Sequence, residues 1–253
     1  MTISTARLLE ALRVQGSLLF RAATRGMQAN VPSCPGWTVG DVVGHVGGIH
    51  RHKELVVRTL AQEEPRERAE PPEDPEDRLA WYAEGLDLLL DTLETADPEA
   101  RVWTWHEPDQ SVGFWVRRMA HETAIHRADT ELPRGVPTAL DPELASDGID
   151  EVLGPVIAAY TTDPADEFRP DGRVVELNVT ETGMVRRLHL GTGGHGPGWT
   201  YGPGEHGTPT TVITARASDL DLWAWGRAPE TVLTVQGDPD PVVMVRRVVA
   251  SVT

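Results

Sequence analysis

Over the first 132 residues apolar side chains recur every three or four positions and runs of alternating β-branched residues are few, the period of amphipathic helices. Four segments follow from this. The first, roughly residues 4–28, places Leu8, Leu12, Leu18 and Leu19 at helical offsets. The second opens after Pro35-Gly36-Trp37, where Thr38 with Asp41 three residues on makes a capping-box signature, and runs to about Gln62. A third, about 74–96, carries Leu79, Tyr82, Leu86, Leu89, Leu90 and Leu93. The fourth, about 111–132, ends at Pro133 with Gly135 beyond it. Four helices with short to moderate connections predict a four-helix bundle.

Beyond Pro137 the pattern changes. Residues 141–160 still read as a helix, but 173–179, 184–190 and 210–216 are β-branched and roughly alternating, with Gly-rich turns between them. A short helix over 219–226, a strand over 231–237 and a closing helix after Asp238-Pro239 complete an α+β pattern. The expected division is a helical domain, 1–137, and an α+β domain, 138–253.

Charge narrows the function classes. The chain has 253 residues and 39 Asp and Glu against 23 Lys and Arg, a net charge of −16. Lys53 is its one lysine and the arginines are scattered among acids, which argues against gripping a nucleic-acid backbone or an anionic membrane. Eight of the acids fall between Glu63 and Arg78 with three arginines and several prolines. That stretch reads as a solvated connection rather than an acidic binding face. No segment offers the roughly 18 apolar residues needed to cross a bilayer, and the N-terminal pattern is interrupted by charges. The expectation is a cytoplasmic protein, monomer or homodimer. Cys34 is the single cysteine, which leaves no intramolecular disulfide and no Cys-rich metal site. It has nothing basic beside it and reads as packing at a helix entrance.

The candidate chemistry lies in histidines on helices. In the fourth segment Glu122 and His126 are four apart and share a face, whereas His121 and His126 are five apart and diverge by roughly 140°. The H-E-x-x-H zinc-protease pattern is therefore absent. A carboxylate and an imidazole on one stripe can chelate a divalent metal, although the same spacing also describes an ion pair on a solvated helix face. The second segment offers a third ligand in His45, set among Val42, Val43, Val46 and Ile49 with Gly44, Gly47 and Gly48 close by. Each glycine costs a helix interior roughly 1 kcal/mol, and in return lets a neighbouring helix or a ligand come close. The alternative is a core histidine bonded to a carbonyl, with His50 and His52 at the surface. Together His45, Glu122 and His126 supply two nitrogens and one oxygen, a set common for catalytic zinc with an open fourth position; iron, nickel and cobalt accept it too. Asp41 is already explained as a cap and stays off the ligand list. Trp103, Trp105 and Trp115 read as core.

These stretches also carry a family resemblance. Cys34-Pro35-Gly36-Trp37-Thr38, Asp41 to His45, and Arg117 through Asp129 resemble the mycothiol-dependent maleylpyruvate isomerase family. Ala217 to Arg227 and Val235 to Pro239 are similar to the family's C-terminal part. The resemblance implies a DinB-like N-terminal bundle with His45, Glu122 and His126 as metal ligands, and a smaller sterol-carrier-protein-like C-terminal domain. It further implies a divalent metal, zinc first, and a small thiol, mycothiol or alternatively ergothioneine. The implied chemistry is attack of that thiol on a small electrophile. In the isomerase the thiolate adds to a cis double bond, the adduct rotates, and elimination returns the trans isomer; in a transferase the sulfur stays attached. Arg227, in Trp223-Ala224-Trp225-Gly226-Arg227, matches an arginine turned to the metal, where a guanidinium suits a carboxylate substrate; a helix-terminal arginine in solvent is the other reading. Two further readings of the chain are a non-catalytic metal- or ligand-binding stress protein of this fold and a metal-dependent hydrolase.

Overall fold

Each long helix of the N-terminal half begins on a side chain that satisfies its first free amides. In the computed structural model, which describes residues 3–160, 172–190, 199–203 and 207–250, Ser4 accepts from the Arg7 amide and opens α1, Thr5–Ala23. Thr38 and Asp41 form the reciprocal capping box of α2, Val39–Arg58. Hydrogen bonds from the Thr38 amide and hydroxyl hold the Asp41 carboxyl below its usual pKa. Asp74, followed by Pro75 at the first helical position, starts α3, Pro75–Thr95. Ser111 starts α4, Val112–Glu131. The first two helices stop short of the sequence expectation, at Ala23 and Arg58, because turns replace their last predicted residues.

The chain divides into two compact units, Met1–Thr138 and Ala139–Thr253. In the first, α1 packs on α4 and α2 on α3. Leu19, Ala23, Val39, Val42, Val43, Val46 and Tyr82 form one core cluster, and Cys34 and Trp37 pack against it. Gly44, Gly47 and Gly48 of α2 face neighbouring residues rather than the histidines. A Cβ at Gly47 would lie 2.5 Å from the Trp81 ring, and one at Gly44 would lie 3.2 Å from Pro71. The acidic connection is accordingly tied down: Pro71 lies on α2, His52 Nε2 meets the Pro65 carbonyl at 3.0 Å, and Arg78 donates to the Pro72 and Gly40 carbonyls.

The second unit holds a sheet in the order β3-β2-β1-β4-β5. Its strands are β1 (Val174–Val179), β2 (Val185–Leu190), β3 (Trp199–Gly202), β4 (Thr211–Ala215) and β5 (Thr234–Gly237). Among the described strands only β1 and β4 run parallel, in register Leu177 to Ile213. The expected helix over 141–160 is interrupted: α5 (Pro142–Glu151) passes through a wider π-helical turn, Val152–Val156, into α6 (Ile157–Tyr160). Pro155 lies inside that turn, and its missing N–H and its ring are incompatible with a regular α-helical turn. Helix α7 spans Ala217–Ala224 and α8 spans Asp240–Ala250. The expected strand 231–237 begins only at Thr234, after a 3-10 turn over Glu230–Val232.

Candidate metal centre

The second and fourth helices carry the candidate ligands, and the capping box sets their relation. Starting α2 at Val39 turns Val42, Val43 and Val46 into the core, each fully buried. His45 comes to α4, where its Nε2 lies 3.3 Å from Glu122 Oε1. One turn further along α4, His126 Nε2 lies 3.2 Å from the same oxygen. The three candidate donor atoms fall within 4.8 Å of one another. His121, adjacent in sequence to Glu122, is buried and outside this group.

The remaining polar atoms of Glu122 and His126 are engaged elsewhere. Glu122 Oε2 accepts from Arg118, one turn earlier on α4. His126 Nδ1 lies 2.8 Å from Asp129 Oδ2, and Asp129 is fully buried. The His45 ring is met edge-on by Trp37, with centroids 5.0 Å apart, and by His126, at 4.9 Å. Arg118 and Asp129 were not assigned roles from the sequence. Their offsets, four before Glu122 and three after His126, were the signal available.

This arrangement calls for a positive charge. With its Nδ1 proton on Asp129, a neutral His126 would turn the Nε2 lone pair toward a lone pair of Glu122 Oε1. The contact becomes favourable only if Nε2 is protonated or a cation stands among the three atoms. Burial disfavours an imidazolium, but Glu122 and Asp129 outweigh it and raise the His126 pKa to about 9. Burial likewise works against the Glu122 carboxylate, and Arg118 and His126, with hydrogen bonds from His126 and His45, hold its pKa well below the usual range. Two nitrogens and a carboxylate oxygen converging while the outer atoms of Glu122 and His126 are held by other residues fit a divalent metal ion.

The other histidines of α2 are not at the surface, contrary to the alternative weighed from the sequence. His50 is fully buried with Nε2 2.9 Å from Thr123 Oγ1, and His52 is buried against the acidic connection. Helix α2 has protein on more than one side, so a residue off the His45 stripe still meets a neighbour. Lys53 Nζ lies against both the Trp103 and Trp115 rings, 5.0 and 4.3 Å from their centroids, and donates to His52 Nδ1. Its burial lowers its pKa to about 8. Trp115 is core as expected, while its Nε1 donates to the Trp103 carbonyl. Arg227 lies just past α7 in the second unit, where it donates to the Trp225 carbonyl.

Comparison with known proteins adds a family model, described as the mycothiol maleylpyruvate isomerase N-terminal domain, which matches residues 9–131. Two solved structures share the fold. A crystal structure of a histidine-to-alanine mutant of the mycothiol-dependent maleylpyruvate isomerase aligns with a TM-score of 0.61 and 13% identity, over 93% of this chain and 96% of that one. The unmutated isomerase aligns with a TM-score of 0.56, again at 13% identity and the same coverage. A search of curated proteins returns no match.

Proposed function

We propose, from the match of residues 9–131 to the mycothiol maleylpyruvate isomerase N-terminal domain model, that this chain belongs to that family and is a metal- and thiol-dependent enzyme acting on a small electrophile, with cis-trans isomerisation of a maleylpyruvate-type substrate as its reaction. The observation that carries this reading is the convergence of His45 Nε2, His126 Nε2 and Glu122 Oε1 within 4.8 Å. Three protein ligands leave a coordination position for a small molecule, as in working rather than structural zinc sites. Zinc suits the set best, with iron, nickel and cobalt as other occupants. When bound, the ion would favour the thiolate of a small-molecule thiol whose unperturbed pKa is about 8.5. Mycothiol is the thiol the family name points to.

The chain's own residues prepare that position. His45 and His126 present imidazole nitrogens, and Glu122 presents one oxygen while Arg118 occupies the other. Arg118 also offsets the Glu122 charge, which leaves more of the ion's charge for an incoming sulfur. Cys34 does not supply the sulfur: its Sγ is turned to Asp129 Oδ2, 3.7 Å away. The thiol is therefore brought by a small molecule. Arg227 adds nothing to this reading, which rests on the first unit alone.

The deciding experiment measures bound metal in the purified protein and follows conversion of maleylpyruvate to its trans isomer with and without mycothiol. We expect one divalent ion per chain and turnover that requires both ion and thiol. Absence of metal, or turnover unaffected by His126→Ala or by omission of thiol, overturns the proposal. Thiol-free hydrolysis of the substrate, in place of its isomerisation, would indicate a hydrolase instead.

A further inference from the structure

A fully buried carboxylate is costly unless its oxygens are matched by donors, and Asp129 is such a group, with no exposed side-chain surface. Its Oδ2 faces His126 Nδ1 at 2.8 Å and Cys34 Sγ at 3.7 Å, and its Oδ1 accepts from Ser33 Oγ at 2.5 Å. Two of these donors come from a turn distant in sequence, closed by hydrogen bonds from Cys34 N to the Val31 carbonyl and from Trp37 N to the Cys34 carbonyl. Gly36 in this turn has a φ of 86°, a backbone conformation that favours glycine. The same turn places Trp37 edge-on against His45, with ring centroids 5.0 Å apart. Both imidazoles of the candidate centre are thus supported from one short segment, His45 by Trp37 directly and His126 through Asp129.

Resting on the metal-centre reading above, we propose that Asp129 is the positioning residue of the centre: it holds His126 with Nδ1 protonated, so that Nε2 keeps its lone pair for the ion, and Ser33 holds Asp129 in place. An imidazole has two tautomers, and only the one with the proton on Nδ1 leaves Nε2 free to ligate. A carboxylate accepts and cannot donate when ionised, so it selects that tautomer, which an amide in the same place does not. Asp129→Asn keeps the volume, removes the charge and introduces an NH2 group able to donate to Nδ1. The His126 proton would then move to Nε2 in part of the molecules.

The test uses the full chain and zinc alone, with affinity read by competition against a chromogenic chelator. Asp129→Asn is expected to weaken zinc about 10- to 100-fold, and Ser33→Ala several-fold. Nitrogen-15 spectra of the metal-free wild type, recorded at alkaline pH where the ring is neutral, are expected to show His126 protonated at Nδ1. In the metal-free Asp129→Asn protein, that preference is lost. Circular dichroism and thermal melting establish that each variant is folded; if Asp129→Asn is not, Ser33→Ala decides. Wild-type zinc binding with unchanged affinity and tautomer in the folded variants overturns the role of Asp129 and leaves the centre intact. Failure of the wild type to bind zinc overturns both.

Discussion

Two levels of the seam between α2 and α4 hold imidazoles in opposite electrostatic states. At one level His126, with His45 beside it, faces the Glu122 carboxylate and the Asp129 carboxylate, and its pKa rises to about 9. At the other, His50 meets the hydroxyl of Thr123, its ring 5.6 Å from that of Tyr82, and burial pushes its pKa down to about 3 despite the attraction of Glu122. Its Nδ1 has no hydrogen-bond partner among the described residues. Residue type is the same at the two levels, although His50 is fully buried and His126 keeps a little exposure. What differs is the facing group: a carboxylate in contact creates demand for positive charge, and a hydroxyl does not. A buried histidine on these helices is therefore a candidate ligand only where a carboxylate completes it.

The comparison can be broken most forcefully at the carboxylate. Glu122→Gln should lower zinc affinity more than about 100-fold, beyond the loss typical of a supporting residue, as read by calorimetric titration. Retention of tight binding would mean that the two levels do not differ as described. Next in size is the effect of the ion on stability. Zinc at 100 times its Kd stabilises the native state by about 2.7 kcal/mol, a shift of roughly 5–10 °C in Tm for a protein of this size. Chelation should remove that increment from the wild type and from His50→Gln alike, and should change Glu122→Gln hardly at all.

Acidity separates the levels with a smaller effect. The unfolded chain takes a proton on His50 below about pH 6.5, whereas the folded protein refuses it until about pH 3. His50 therefore makes stability fall as pH drops through that window, by up to about 1.4 kcal/mol per unit, with no contribution above it. In metal-free protein His126 slopes the other way: the folded state keeps its proton up to about pH 9, so its contribution is lost as pH rises from 6.5 to 9. Urea midpoints across pH should show the acid-side slope flatten in His50→Gln. The least effect is expected from Cys34→Ala. A thiol is a weak donor, here 3.7 Å from Asp129, and its removal should alter zinc affinity less than about twofold.

Much of this was legible along the chain. The α2 start was readable because Thr38 and Asp41 are near neighbours and cap the helix by local contacts. Glu122 and His126 were readable as a pair because helical spacing alone aligns them. The π-helical turn after α5 was not anticipated, although Pro155 marks the place where regular hydrogen bonding fails. Strand β3 was missed because four residues carry too little alternation; it pairs with β2 in the structure, Tyr201 opposite Leu188. The burial of His50 and His52 was invisible for another reason: periodicity locates one apolar stripe, while α2 is covered by α3, α4 and the acidic connection together.

By itself, then, the order of residues determined the helices, the division of helical from α+β character, and the face on which a carboxylate and an imidazole coincide, since all three depend on contacts within a few residues. The tertiary structure decided that His45, the α2 histidine favoured from the sequence, meets them, and that Asp129 is gripped by Ser33 across 96 residues of chain. Those outcomes depend on how one helix is rotated against another and on where a distant turn comes to rest. Packing of the whole bundle sets both, and no local pattern encodes either.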